Sequence, residues 1–224
     1  MQIDINHDSY TEGRKGMGGK RIVHRIVLVR HGETSANVAL MADEDIAAHS
    51  LDVGLTEEGV LQGENVASFL MEGLFYVPDE IIYSRLDRAY RTALPTLTLA
   101  KSRPTPPLET KDASWSENNY KGTESIIDHE HIEWVYQQET DEEFVNRTFN
   151  AFDTLRQQGT IASPKQTLVF THSQVINTVL SRCLSKEVSS QPEPYYFHLS
   201  NGSLTCIDID ECRRSHIYSN RPQK

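Results

Sequence analysis

The chain has 224 residues, of which 38% are hydrophobic and 24% charged, and a formal net charge of -10. That length suits one sizeable α/β domain, and no continuous apolar run reaches the length of a membrane span. The acidic balance argues against a general nucleic-acid binder or a binder of anionic membranes, since both partners select broad basic surfaces, whereas a small anion needs only a local cluster of cations.

In chain order, residues 1–21 are polar, with Gly13, Gly16, Gly18 and Gly19 and no apolar h-region, and read as a flexible leader rather than a signal peptide. Residues 22–29 are rich in Ile, Val and Leu and stop abruptly at Arg30-His31-Gly32, the pattern of a buried strand running into a loop. Thr56 precedes Glu57 and Glu58, and Val60, Val66, Phe69 and Leu70 follow at helical spacing. Thr56 is therefore the expected N-cap of a helix reaching about Leu74, with Glu57 and Glu58 favouring its dipole.

Residues 80–83 read as a second short strand, followed by a loop at Ser84 and a helix over residues 88–100 kinked at Pro95. Residues 102–111 carry three prolines and cannot be helical throughout. An amphipathic helix is expected over residues 141–158, with Phe144, Val145, Phe149, Phe152 and Leu155 on its apolar side and Gly159 closing it. Residues 167–170 form a third strand, which ends at Thr171-His172-Ser173 and leads into a helix to about Leu184. Asn201-Gly202, between residues 197–199 and 204–209, is a hairpin signal, and residues 213–224 read as a polar, frayed tail. The expected organisation is thus a leader over 1–21, a single domain over 22–212 and a tail over 213–224. Cys183, Cys206 and Cys212 form neither an even set nor a CxxC pair, which points to reduced thiols and a cytoplasmic location.

Alternating strands and helices imply an α/β fold with a mainly parallel sheet, and ligands of such sheets bind at the carboxyl ends of the strands. Three strand ends here deliver His31, the loop from Ser84 to Arg88, and His172. Arg30 and Arg88 offer forked, permanently charged donors suited to phosphate oxygens. A neutral His31 can attack phosphorus and form a covalent intermediate, while His172 donates to the oxygens of the transferring group. A carboxyl group must then protonate the leaving oxygen and later activate water.

These residues resemble the histidine phosphatase superfamily, the phosphoglycerate mutase-like group, in its branch 1. Arg30, His31 and Gly32 match its Arg-His-Gly motif, with Glu33, Thr34 and Asn37 in the usual places. Leu55, Thr56, Gly59 and Gln62 match its Leu-Thr-x-x-Gly-x-x-Gln segment, and Ser84, Leu86, Arg88, Ala89 and Thr92 match Ser-x-Leu-x-Arg-Ala-x-x-Thr. The resemblance implies a three-layer α/β/α sandwich with a mainly parallel central sheet. It also implies His31 as the phosphorylated nucleophile, Arg30, Arg88 and His172 as the phosphate pocket, and Asn37 as a further phosphate contact. Glu117 matches the proton donor of an Asp-x-x-Leu-x-Glu pattern, with Trp115 where leucine is usual and Gly122 one place late; Asp112 and Glu109 are the neighbouring alternatives.

Less specific features have plainer explanations. Asp128-His129-Glu130-His131 contains metal-ligand residue types but no supporting spacing, so neither a metal nor a cofactor is expected. Trp115, Tyr120, Trp134 and Tyr136 could line a pocket, although aromatic residues more often belong to the core. The expected activity is metal-independent hydrolysis of a small phosphorylated metabolite, with a homodimer left open. Two alternatives stand beside it: a phosphoglycerate mutase, and a catalytically silent protein that binds a phospho-ligand. After Glu117 the chain reads Asn-Asn-Tyr-Lys-Gly rather than the Gly-Leu-Asn-Lys continuation associated with the mutases, which favours hydrolysis.

Overall fold

A computed structural model describes residues 20–41, 53–73, 77–117, 123–128, 131–135, 139–184 and 197–220. The expected leader lies almost wholly outside these residues, as do Tyr120, Lys121, Gly122, His129, Glu130 and Tyr136.

The Ile- and Val-rich run becomes β1 (Ile22–Arg30), the inner strand of a six-stranded sheet. Its neighbours are β6 (Lys165–Thr171), paired parallel, and β7 (Leu204–Asp210), paired antiparallel. Beyond β6 come β2 (Glu80–Tyr83) and β3 (Leu108–Lys111), both parallel, and beyond β7 comes β8 (Ser215–Asn220), antiparallel. A separate two-stranded ribbon is formed by β4 (Thr123–Asp128) and β5 (His131–Val135).

Helices cover both faces of the large sheet, as alternation along β1 requires. Ile26 and Leu28 join a core with Phe144, Val145, Phe152 and Leu155 of α4 (Asp141–Arg156) and Val175, Ile176 and Val179 of α5 (Ser173–Leu184). Val27 and Val29 face the other way, into a core with Val66 of α2 (Glu57–Ser68) and Ala93 and Leu97 of α3 (Asp87–Lys101). The result is the expected three-layer arrangement. Phe152 is completely buried, and its truncation to alanine would cost about 3–5 kcal/mol.

Local chemistry sets the helix ends. Thr56 caps α2 by accepting from the Gly59 N–H at 3.0 Å, and after Ser68 the helix widens into a π turn, Phe69–Gly73. Thr140 and Glu143 close a reciprocal capping box on α4. Gly159 takes a left-handed φ of 72° beside the carbonyl of Val23, a position where a side chain would collide with backbone. The helix α3 runs through Pro95 without a break.

As expected, the proline-rich segment is not helical throughout: it ends in a strand, β3, which tolerates the prolines because they precede its paired residues. Two expectations need correction. The C-terminal segment is not a frayed tail from residue 213: Ser215–Asn220 pairs with β7 along its length, so the sheet extends past the expected domain end at 212. Its polarity suits an edge strand, and Arg213 reaches back to donate to the carbonyls of Arg156, Gln158 and Gly159 at the end of α4. Finally, residues 197–199 form no strand, and the partners of β7 are β1 and β8. The Asn201-Gly202 turn has another use, described below. No helix among the described residues is long and apolar enough to cross a membrane.

Candidate active site

Strand register brings the site together. Arg30 lies opposite Thr171, Phe170 opposite Tyr83, and Tyr83 opposite Lys111. The next residues along each strand, His31, His172, Ser84 and Asp112, therefore emerge at one edge of four neighbouring parallel strands.

The loop from His31 to Thr34 is clamped from several sides. The His31 N–H donates to Thr171 O, and the Gly32 N–H donates to Thr92 Oγ1 of α3 at 2.9 Å. The Glu33 N–H donates to Gln62 Oε1, the Thr56 N–H donates to Glu33 O, and Thr56 Oγ1 donates to Glu33 Oε1. Gly32 and Gly59 each stand where an added Cβ would lie 2.3 and 2.1 Å from an opposing carbonyl oxygen, so the loop and the start of α2 meet backbone to backbone. The Asn201-Gly202 turn supplies the lid of this clamp: the Gly202 N–H donates to the carbonyls of Arg30 and His31, and Asn201 Nδ2 donates to His31 O at 3.1 Å. Residues that sequence reading took for a hairpin instead satisfy carbonyls that would otherwise be left unpaired behind the nucleophile candidate.

His31 is 4% exposed. Its Nδ1 lies 2.7 Å from Gly32 O, and because a carbonyl only accepts, Nδ1 carries the hydrogen and Nε2 keeps the lone pair. Burial, with the Arg88 and Arg30 guanidinium groups nearby, pushes its pKa down to about 3, so the ring is neutral over the ordinary pH range. His172 is fully buried, its ring centroid 5.2 Å from that of His31, and burial together with Arg88 holds its pKa well below the usual histidine value. Its Nε2 lies 2.8 Å from Ser84 Oγ, while its Nδ1 has no hydrogen-bond partner among the described residues and lies 3.7 Å from Glu117 Oε2. Ser84 Oγ also accepts from the Leu86 N–H at 3.2 Å and lies 3.3 Å from Ser116 Oγ, so it can either donate to Nε2 or accept from it; the Glu117 carboxylate beside Nδ1 favours the hydrogen on Nδ1, with Ser84 donating to Nε2.

Arg88 is buried in the first turn of α3 and donates from Nη2 to Glu117 Oε2 at 2.6 Å. Arg30 donates from Nη1 to Leu199 O. His31, three of the residues expected to hold phosphate (Arg30, Arg88 and His172) and the expected acid are thus gathered at one place. The two alternative acids are engaged elsewhere. Glu109 pairs with Lys101 at 2.9 Å and accepts from the Tyr83 hydroxyl, and the Lys101 hydrogen bond lowers its pKa. Asp112 caps the short turn Ala113–Trp115 by accepting from the Ser114 N–H.

Asn37 sits on α1 (Ser35–Met41), where its Oδ1 accepts from the Thr34 N–H, Thr34 Oγ1 and Asn201 Nδ2 at 3.0–3.1 Å. Only its amide N–H groups remain to meet an anion. Trp115 is 1% exposed and packs into the core. Among the described residues no group of three His, Cys, Asp or Glu side chains is placed to hold a metal ion. The contributions of Ser84 to His172 and of Asn201 to His31 were not read from the sequence: Ser84 was visible only as a motif letter, and Asn201 as a turn residue.

Residues 26–221 match the histidine phosphatase superfamily (branch 1). The chain is 25% identical over 198 residues to an adenosylcobalamin/alpha-ribazole phosphatase of Salmonella typhi, covering 84% of this chain and 91% of that one. Among solved structures it is similar to a mycobacterial glucosyl-3-phosphoglycerate phosphatase, with a TM-score of 0.61 at 18% identity over 89% of this chain and 99% of that one. A phosphoglycerate mutase from Bacillus anthracis gives a TM-score of 0.62 at 17% identity over 89% and 93% of the two chains. At such identities the structural matches speak for the fold.

Proposed function

The chain belongs to the histidine phosphatase superfamily, branch 1, and on that premise we propose that it hydrolyses a small phosphate monoester through a phosphohistidine formed on His31. The observation that carries this reading is the state of His31: a buried neutral ring whose Nδ1–H is tied to Gly32 O, with Nε2 left as the nucleophile. The phosphatase name of the Salmonella typhi relative supports hydrolysis without fixing the substrate.

In the proposed reaction the ester phosphate is bound by Arg30, Arg88 and the N–H of His172, with Asn37 as a further donor. These groups share its charge and stabilise the equatorial oxygens of the transition state. His31 Nε2 forms a bond to phosphorus as the bond from phosphorus to the ester oxygen breaks, and protonated Glu117 gives its proton to the departing oxygen. Water then attacks phosphorus, the Glu117 carboxylate takes the proton from that water, and the N–P bond breaks to return neutral His31 and inorganic phosphate. No step in this scheme uses a metal.

The test is phosphate release from a panel of sugar phosphates, phosphoglycerates, nucleotides and aryl phosphates in the presence of a chelator, with His31→Ala and Glu117→Gln as controls. Hydrolysis of at least one ester, absent in His31→Ala and accompanied by label trapped on His31 after an acid-free quench, is the expected result. Equal turnover by wild type and His31→Ala would overturn the reading. Interconversion of the monophosphoglycerates faster than phosphate release would reassign the protein to phosphoryl transfer.

A further inference from the structure

We infer that Arg147, with its partner Glu139, is a positioning residue for Glu117, holding the acid loop in register with the phosphate pocket. The inference rests on the proposed role of Glu117 as proton donor. Arg147 stands on α4, outside the pocket, and its guanidinium serves two sets of acceptors. Nε and Nη2 fork onto the Glu139 carboxylate, whose side chain is fully buried. Nη1 donates to the carbonyls of Ala113, Ser114 and Ser116 at 3.0, 2.9 and 3.1 Å.

The remaining carbonyl of that run, Trp115 O, accepts from Thr171 Oγ1 at 2.6 Å. All four carbonyls before Glu117 are therefore pinned, three to α4 and one to the residue that precedes His172. Packing does not do this work alone, because on its outer side the loop borders a cavity of about 480 Å³ lined by Asp112, Ser114, Trp115, Arg147, Asn150 and Thr154, among others. An ion pair taken out of water is a poor source of net stability and a good source of defined geometry, provided its remaining hydrogen-bonding capacity is filled. Here that capacity is filled by the loop. The defined geometry is the approach of Glu117 Oε2 to Arg88 Nη2 at 2.6 Å and to His172 Nδ1 at 3.7 Å.

A general acid matters most when the leaving oxygen is a poor leaving group, so the test is leaving-group dependence. Values of kcat/KM would be measured for 4-nitrophenyl, phenyl and alkyl phosphates with wild type, Arg147→Lys, Arg147→Met, Glu139→Gln and Glu117→Gln. Inorganic phosphate binding and thermal unfolding would be recorded in parallel. The expected result for Arg147→Met is a loss of about 10²-fold on the phenyl and alkyl esters, the lower end of what general acid catalysis contributes, against about threefold or less on the 4-nitrophenyl ester. Phosphate binding stays unchanged and Arg147→Lys falls between.

Equal losses on all esters would reduce Arg147 to a purely structural residue and overturn the inference. If Glu117→Gln itself leaves the leaving-group dependence unaltered, the proton-donor reading fails and takes the inference with it. If Glu117→Gln steepens that dependence and folded Arg147 variants do not, the inference fails alone. Should Arg147→Met not fold, Glu139→Gln, which loosens the Arg147 fork, and Thr171→Val, which frees the Trp115 carbonyl of the same run, decide by the same criterion.

Discussion

The phosphate cradle and the acid loop meet within a few ångströms, yet they are built differently. His31 and His172 leave the two adjoining central strands, β1 and β6, and the His31 loop is fixed by backbone hydrogen bonds and the contact of Gly32 with Gly59, to which the side chains of Thr92, Gln62 and Asn201 add. Glu117 follows β3, an edge strand of four residues, and the carbonyls of residues 113–116 depend on the side chains of Arg147 and Thr171. Backbone clamps resist substitution, while side-chain braces are separable parts. The difference suits a division of labour in which the sheet reads the phosphate common to all substrates and the edge loop adjusts to the leaving group.

Substitutions that strike the cradle should have the largest effect. His31→Ala removes the proposed nucleophile but leaves Arg30, Arg88 and His172, so turnover should fall by about 10⁵-fold while inorganic phosphate still binds, as calorimetry would show. Loss of binding as well would mean that the imidazole also holds the cradle in shape. Arg88→Met cuts both regions at once, because Arg88 pairs with Glu117. A loss of about 10²–10³-fold in kcat/KM with weakened phosphate binding is expected, and intact binding would show that Arg88 serves the acid loop alone.

Ser84→Ala should be milder, about tenfold in kcat, the scale of one hydrogen bond. Its signature is the ¹⁵N spectrum of His172: wild type should show a protonated Nδ1 and a bare Nε2, and the variant a mixture of tautomers. A wild-type spectrum with the hydrogen on Nε2 would reverse the direction of the bond between Ser84 and His172.

The smallest effect is on stability against pH. His31 titrates at about 3 in the folded protein against 6.5 as its ordinary value, and His172 shifts the same way. Below pH 6.5 the unfolded chain takes up protons that the folded chain refuses. Stability from each ring is therefore complete above 6.5 and is lost as the pH falls toward the folded value. His31 contributes up to about 1.4 kcal/mol per pH unit in that window, so denaturant unfolding of His31→Gln should show a shallower acid decline than wild type. An unchanged slope would mean that His31 is more solvated than its burial implies.

Much of this was legible in the residues themselves. The Ile- and Val-rich run ending at Arg30-His31, the Thr56 cap and the positions of Arg88 and His172 follow from local patterns, because strands, caps and charged motif residues are specified by near neighbours in the chain. The motif letters Gly59, Gln62 and Thr92 were legible as a pattern but not as a purpose: each contacts the His31 loop across distances in sequence that no local rule spans. The strand β8 was missed because its polar residues resemble a tail until β7 is beside them.

The sequence by itself determined the α/β class, the strand that presents Arg30 and His31, and the residue types able to bind phosphate and attack it. Only the tertiary structure showed what surrounds each histidine. His24 is as buried as His172, but it satisfies both nitrogens, donating to Leu155 O and accepting from Thr167 Oγ1, whereas among the described residues His31 has no partner on Nε2 and His172 none on Nδ1. It also showed what stands beside Glu109, Asp112 and Glu117, and an acid in a loop becomes a candidate proton donor only through such neighbours. Composition and spacing fix which groups are available; their protonation and reach are set by burial and by partners that only the folded chain brings within hydrogen-bonding distance.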